Sequence, residues 1–122
     1  MKIDSINLGK EGLQSILGPL ETEIMEIVWE KGEVGSRDVF KEIKKKRDIT
    51  QPTVAMTLDK LYEKGFVDRK IDRGKGGLRY TYWPTKNKKE VEKSIVKSVL
   101  DHLLQNFKES TIAYLSEKEK RI

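Results

Sequence analysis

The segment TQPTVAMTLDKLYEKG, residues 50–65, leads directly into two strand-forming stretches, FVDRKI and LRYTYW, separated by DRGKGG. A helix that stops on a glycine and turns at once into a hairpin has few compatible folds. Thr50 is placed to cap the helix, Pro52 fits its first turn, and Gly65 closes it. Val54, Thr57, Leu58 and Leu61 share one narrow arc and face the core, which leaves Pro52, Ala55, Met56, Asp59 and Lys60 outward. Glycines 74, 76 and 77 predict a mobile, cationic hairpin tip, and Pro84 ends the second strand.

Upstream, Pro19 suits the first turn of a helix starting after Gly18, with Leu20, Ile24, Ile27 and Val28 as its core stripe and Gly32 as its stop. Met25 and Trp29 form a second stripe that can meet another element. Glu23, Glu26 and Glu30 share a third face, expected to point away from any polyanion. Ser36 reads as the N-cap of a second helix with Val39, Phe40 and Ile43 inward. That helix closes on KEIKKKRD, a run that suits dipole compensation and phosphate contact equally well. Helix, short strand, helix, helix, hairpin is the order of a winged helix-turn-helix, so the predicted class is mainly α with a small β-hairpin.

The pattern changes after residue 84. Val91, Ile95, Val96, Val99, Leu100, Leu103, Leu104 and Phe107 cover an arc of about 220° on a helix, more than one packing surface needs. One side can rest on its own domain, and a matching helix from a second copy is the economical cover for the other. A single helix lying across its own domain is the alternative. Ser116 and Glu119 resemble a capping box for a short last helix. The expected organisation is an arm over 1–17, a winged-helix domain over 18–84 and a helical dimerisation region over 85–122.

Charge is unevenly spread along the 122 residues, whose net value is +5. Residues 1–35 carry 3 basic and 7 acidic groups, whereas residues 60–89 carry 10 basic and 3 acidic. That asymmetry fits a one-sided polyanion-binding surface. There are no cysteines and one histidine, so thiolate metal sites, disulfides and histidine clusters are excluded, and no cofactor or metal is expected. No metal cluster, thiol or nucleophile–base pair supports an enzyme. GKGG lacks the surroundings of a phosphate-binding loop. The chain shows neither a signal-peptide pattern nor a bilayer-length apolar run, so it is expected in the cytoplasm, without membrane insertion.

These features point to double-stranded DNA as the partner. Phosphate contacts position a protein, and base edges specify sequence. Arg69, Arg73, Lys75 and Arg79 on the hairpin 66–83, with Lys60 on the helix 50–64, are the expected phosphate contacts. Backbone N–H groups at Ser36-Arg37 and Thr50-Gln51 can assist them. Gln51 and Thr53 can hydrogen-bond bases, while Ala55 and Met56 offer apolar contact to thymine methyls and Pro52 lies on the same DNA-facing side. Tyr80, Tyr82 and Trp83 are better placed to pack on the first helix than to stack on bases, and His102 reads as a partly buried interface residue. A protein-interaction module of a transcription or chromatin assembly is the rival function. It accounts for the uncharged Ala55-Met56 face but not for the basic hairpin.

LGPLETEIMEIVW (17–29) and LDKLYEKGFVDRK (58–70) resemble the signatures of the penicillinase-repressor family, of the BlaI/MecI/CopY type. The resemblance spans roughly residues 17–115. It implies a homodimeric repressor bound to an inverted-repeat operator, with Val91, Ile95, Val99, Leu100, Leu103, Leu104 and Phe107 in the dimerisation helix. Three departures stand out. Proline sits one place later than in the family's usual Ser/Thr-Pro-x-Thr, so the operator sequence does not carry over. The cysteine motif of copper-responsive members is missing, and the link from hairpin to tail is shorter. The family's β-lactam-responsive members are inactivated by cleavage of an Asn-Phe bond, and Asn106-Phe107 stands at a similar place. On that likeness a membrane-bound sensor protease is a further partner; the other reading makes Phe107 a core residue.

Overall fold

The computed structural model describes residues 1–121. Helix α1 spans Pro19–Lys31, strand β1 Val34–Gly35, helix α2 Ser36–Lys44 and helix α3 Gln51–Glu63. Strands β2 (Val67–Gly74) and β3 (Gly77–Pro84) make the hairpin, and helices α4 (Lys88–Asn106) and α5 (Lys108–Lys120) complete the chain. The sheet order is β1-β3-β2, all antiparallel. This is a winged helix-turn-helix followed by two further helices.

Each local signal has a visible cause. Gly32 adopts φ 77° and stops α1. At the end of α3 the N–H of Phe66 donates to the carbonyl of Leu61 (2.9 Å) and that of Gly65 to Tyr62 (3.0 Å), with Gly65 at φ 82°. That Schellman closure needs a left-handed residue, which glycine supplies without a Cβ clash. The chain then enters β2 with Phe66 and Val67 fully buried.

The core joins Leu17, Ile24, Met25, Val28, Val34, Val39, Ile43, Val54, Leu58, Leu61, Phe66, Val67, Tyr82 and Val91. Both stripes of α1 are used, since the helix packs against α2, α3 and β3. Met25 is sealed, and the indole N–H of Trp29 donates to the carbonyl of Lys86 (2.9 Å).

Several expectations change at the ends of elements. Ser36 is not an N-cap: Gly35 holds that position in extended conformation, and Ser36 is already helical. The reason is β1, whose two residues pair with Tyr82 and Thr81 and feed α2 directly. Thr50 does occupy the N-cap of α3, but its hydroxyl lies 3.0 Å from that of Thr53 and caps no backbone N–H. The hairpin is paired up to its tip. The ladder continues to Gly74↔Gly77 and closes through Lys75 and Gly76, with Gly76 and Gly77 at positive φ.

In the tail, the capping box is at Asn87 and Glu90, not at Ser116. The N–H of Glu90 donates to Asn87 Oδ1 (2.8 Å) and that of Asn87 to Glu90 Oε1 (3.1 Å). Ser116 and Glu119 lie inside α5, which already starts at Lys108. The tail helix breaks at Phe107, whose φ −140° and ψ 50° are not helical. The arm is anchored at both ends: Leu17 is buried in the core, while the N–H of Lys2 donates to the carbonyl of Lys64 (2.8 Å). Asp4 pairs with the Lys64 ammonium (3.6 Å), and Ile3 and Ile6 line a cavity against Val99 and Leu103 of α4.

Candidate nucleic-acid interface

Helix α3 buries Val54, Thr57, Leu58 and Leu61, as its periodicity requires. The opposite face is uncovered: Pro52, Thr53, Ala55, Met56, Asp59 and Lys60 are exposed and Gln51 half-buried, with Met56 63% accessible. The fold therefore presents the expected readout residues on one side of one rod. Thr57 donates its hydroxyl to the carbonyl of Thr53 (2.8 Å), so it does not compete for outside partners.

Arg69 belongs with the structural residues. Its guanidinium donates to Asp59 Oδ1 at 2.7 Å, lies 4.0 Å from the centroid of the Tyr62 ring and 5.4 Å from that of Tyr80. Its side chain is 20% exposed, against 55% for Asp59. The carboxylate of Asp59, followed by the Tyr82 hydroxyl, raises its pKa above the ordinary guanidinium value, against the opposing effect of burial. Arg69 thus links the hairpin to α3, and its charge is shared with the acid on the exposed face of that helix.

Register divides the remaining hairpin cations. Arg69↔Tyr82, Ile71↔Tyr80 and Arg73↔Leu78 share one face, while Lys70↔Thr81 and Asp72↔Arg79 share the other, because side chains alternate along a strand. Arg73 therefore stands on the side turned toward α3 and Arg79 on the reverse. Lys70 is engaged by Glu33 (3.1 Å), and that pairing raises its pKa. Arg79 lies over Gly74: a Cβ there would sit 3.1 Å from its Nε, so glycine makes room for the guanidinium. Ser36, Arg37, Lys41, Asp38 and Arg79 line one cleft between the start of α2 and β3. Lys41 joins this group only because helical spacing sets it above Arg37.

The acidic face of α1 is bridged by cations from elsewhere. Glu23 takes Arg47 (2.9 Å) and Glu26 takes Lys88 (2.8 Å), pairings that raise the pKa of both bases. Within the run closing α2, Arg47 and Lys45 are thus committed, Lys45 to Glu42 (3.2 Å). Lys60, Arg73, Lys75, Arg79, Arg37 and Lys41 enter no ion pair among the described residues.

The tail residues separate by burial. Val91 is sealed in the core and is unavailable to a second chain, and Ile95 packs against the same core. Val99, Leu100 and Leu103 are half-buried. Leu104 and Phe107 are open to solvent, with Phe107 61% accessible, and Val96, Ile112, Tyr114 and Leu115 extend the open apolar surface. Phe107 is therefore not a core residue of its own chain. His102 is exposed, and the Asn106 amide donates to its carbonyl (2.8 Å). Among the described residues no helix is long and apolar enough to cross a membrane.

Residues 17–121 match the family model described as penicillinase repressor. An uncharacterized 16.5 kDa protein of Latilactobacillus sakei is 33% identical over 98 residues, 80% of this chain and 64% of that protein, so the chain spans under two thirds of its length. The methicillin resistance regulatory protein MecI of Mammaliicoccus sciuri is 26% identical over 81% of this chain and 77% of that protein. Among solved structures, a PadR family transcription regulator from Clostridium difficile aligns over 71% of this chain and 99% of its own, with 20% identity and a TM-score of 0.49. The chain belongs to the penicillinase repressor family.

Proposed function

We propose that the protein is a homodimeric repressor that binds an inverted-repeat operator in double-stranded DNA. Helix α3 enters the major groove, and the hairpin meets the flanking sugar-phosphate backbone. One observation carries the reading: the nearly neutral face Gln51, Thr53, Ala55 and Met56 is left uncovered, beside Lys60, Arg73 and Lys75, which no carboxylate claims among the described residues. Bases are probed by the rod, and affinity comes from the cations beside it. Arg37, Lys41 and Arg79 around the α2 N-terminus supply a second phosphate contact.

Apolar and short polar readout discriminates modestly, so two half-sites about 34–36 Å apart, or a multiple, supply the specificity. The open surface of Leu104, Phe107, Ile112 and Leu115 supports a tail that pairs with a second copy. Selection of bound fragments from random duplexes tests both parts at once. A symmetric site with a steep salt dependence supports the reading. With ~6–10 phosphates neutralised, affinity should fall by roughly 10³–10⁵ between 50 and 200 mM salt. No binding in dilute buffer would leave the winged helix as a protein-interaction module.

Inactivation by a membrane-bound sensor protease is a second element of this reading. Asn106 ends α4 and Phe107 is non-helical and exposed, so the bond between them lies at a break that a protease can reach. Mass mapping of fragments after induction tests it; an intact chain, or a cut elsewhere, rejects it.

A further inference from the structure

We infer that the face of the hairpin turned toward α3 is a sugar-contacting surface, on which Ile71 and Leu78 lie against the deoxyribose edge of the DNA strand between helix and hairpin tip. The inference rests on the DNA-binding reading and deepens it. Its starting point is a mismatch between pattern and burial. Val67, Arg69, Ile71 and Arg73 share one strand face with Leu78, Tyr80 and Tyr82. Core contact seals Val67 and Tyr82, and Arg69 with Tyr80 roofs the next position. Beyond that roof nothing covers the face, and Ile71 and Leu78 remain 49% and 56% exposed.

Two observations choose the occupant. Arg69, next to Ile71 on the same strand face, is hydrogen-bonded to Asp59 on the exposed face of α3, which links the hairpin face to that helix. Cations also border it: Arg73 sits opposite Leu78 in the ladder, Lys75 is at the turn and Lys60 on α3. A partner must then be anionic around its edge and apolar where it meets Ile71 and Leu78. A deoxyribose-phosphate strand has that form, with phosphates outward and C–H surfaces on the sugar. Ribose places a hydroxyl at the 2′ position, and that group is how a protein tells RNA from DNA at a given site. An apolar cradle gives a 2′-hydroxyl no hydrogen-bond partner, so it favours deoxyribose.

The test is an anisotropy titration of the full chain against a selected duplex, using wild type, an Ile71→Thr/Leu78→Thr variant and Arg73→Ala. Threonine keeps strand propensity while shortening the apolar surface. The double variant should bind about tenfold more weakly with an unchanged salt slope, because apolar area and not charge is lost. Arg73→Ala should lower the slope. Single ribonucleotides walked through the half-site should weaken wild type at one or two adjacent positions, and that penalty should shrink in the double variant. If the double variant does not fold, Leu78→Thr alone carries the test, with a loss of about threefold.

Unaltered affinity, a changed slope, or an equal ribonucleotide penalty in both proteins overturns the inference while the DNA-binding reading stands. A variant that binds DNA normally but loses self-association assigns the face to a second copy and overturns it too. Failure of wild type to bind any duplex overturns both.

Discussion

Replacing Arg69 with alanine should destabilise the protein and leave the electrostatics of DNA binding nearly intact. The ion pair to Asp59 is short, 2.7 Å, but its acid is 55% exposed, so it contributes only ~0.5–1 kcal/mol. The guanidinium 4.0 Å above Tyr62 adds ~1 kcal/mol in this partly covered setting, and Tyr80 at 5.4 Å adds less than ~0.5. A total of ~1.5–2.5 kcal/mol should lower Tm by about 5–12 °C in a chain of this size. Thermal unfolding by circular dichroism measures that loss, and duplex titrations across salt measure the charge role. Asp59→Ala should cost only ~0.5–1 kcal/mol and should not weaken binding, since it removes an anion from the readout face. A double-mutant cycle should return a coupling of about 0.5–1 kcal/mol. The opposite pattern refutes the argument: unchanged Tm in Arg69→Ala, with a salt slope shallower by ~0.9 per protomer, would make Arg69 a phosphate contact.

Other outcomes follow from the same geometry. Arg73→Ala/Lys75→Ala should weaken binding to all sequences alike and make the salt slope shallower by ~1.8 per protomer, as read by titration at several ionic strengths. Met56→Ala should keep that slope and relax base preference at one position of each half-site by on the order of 1 kcal/mol, as read by fragment selection. Leu104→Glu/Phe107→Glu should give a monomer in sedimentation with little change in Tm, whereas Val91→Ala should still self-associate but lose ~1–3 kcal/mol of stability. Asn87→Ala should cost ~0.5–2 kcal/mol, because the Glu90 N–H loses its side-chain acceptor while the backbone N–H at position 87 keeps Glu90 Oε1.

Residue order determined a good deal by itself. Pro19, Gly32 and Gly65 bound their helices through backbone preferences that operate within a few residues. The 3.6 period singled out Val54, Thr57, Leu58 and Leu61 as inward, and the uncovered face of α3 is its complement. Ser116 and Glu119 matched a capping box locally, but α5 runs through them and the box forms at Asn87 and Glu90 instead. What the tertiary structure alone decided is which groups are already spent. Arg69 and Arg73 are chemically alike and four residues apart, yet one is held against Asp59 and Tyr62 while the other enters no ion pair among the described residues. Val91 and Leu104 stand at the two edges of the tail helix's apolar arc, and only the fold shows that the Val91 edge is the one that meets the core. Strand parity placed Arg73 and Arg79 on opposite faces, a fact fixed by register and not by composition. Local conformation follows from neighbours in sequence, but a charge or a methyl group acts on whatever the fold brings within a few ångströms, and those partners lie as far as 62 residues away in the chain.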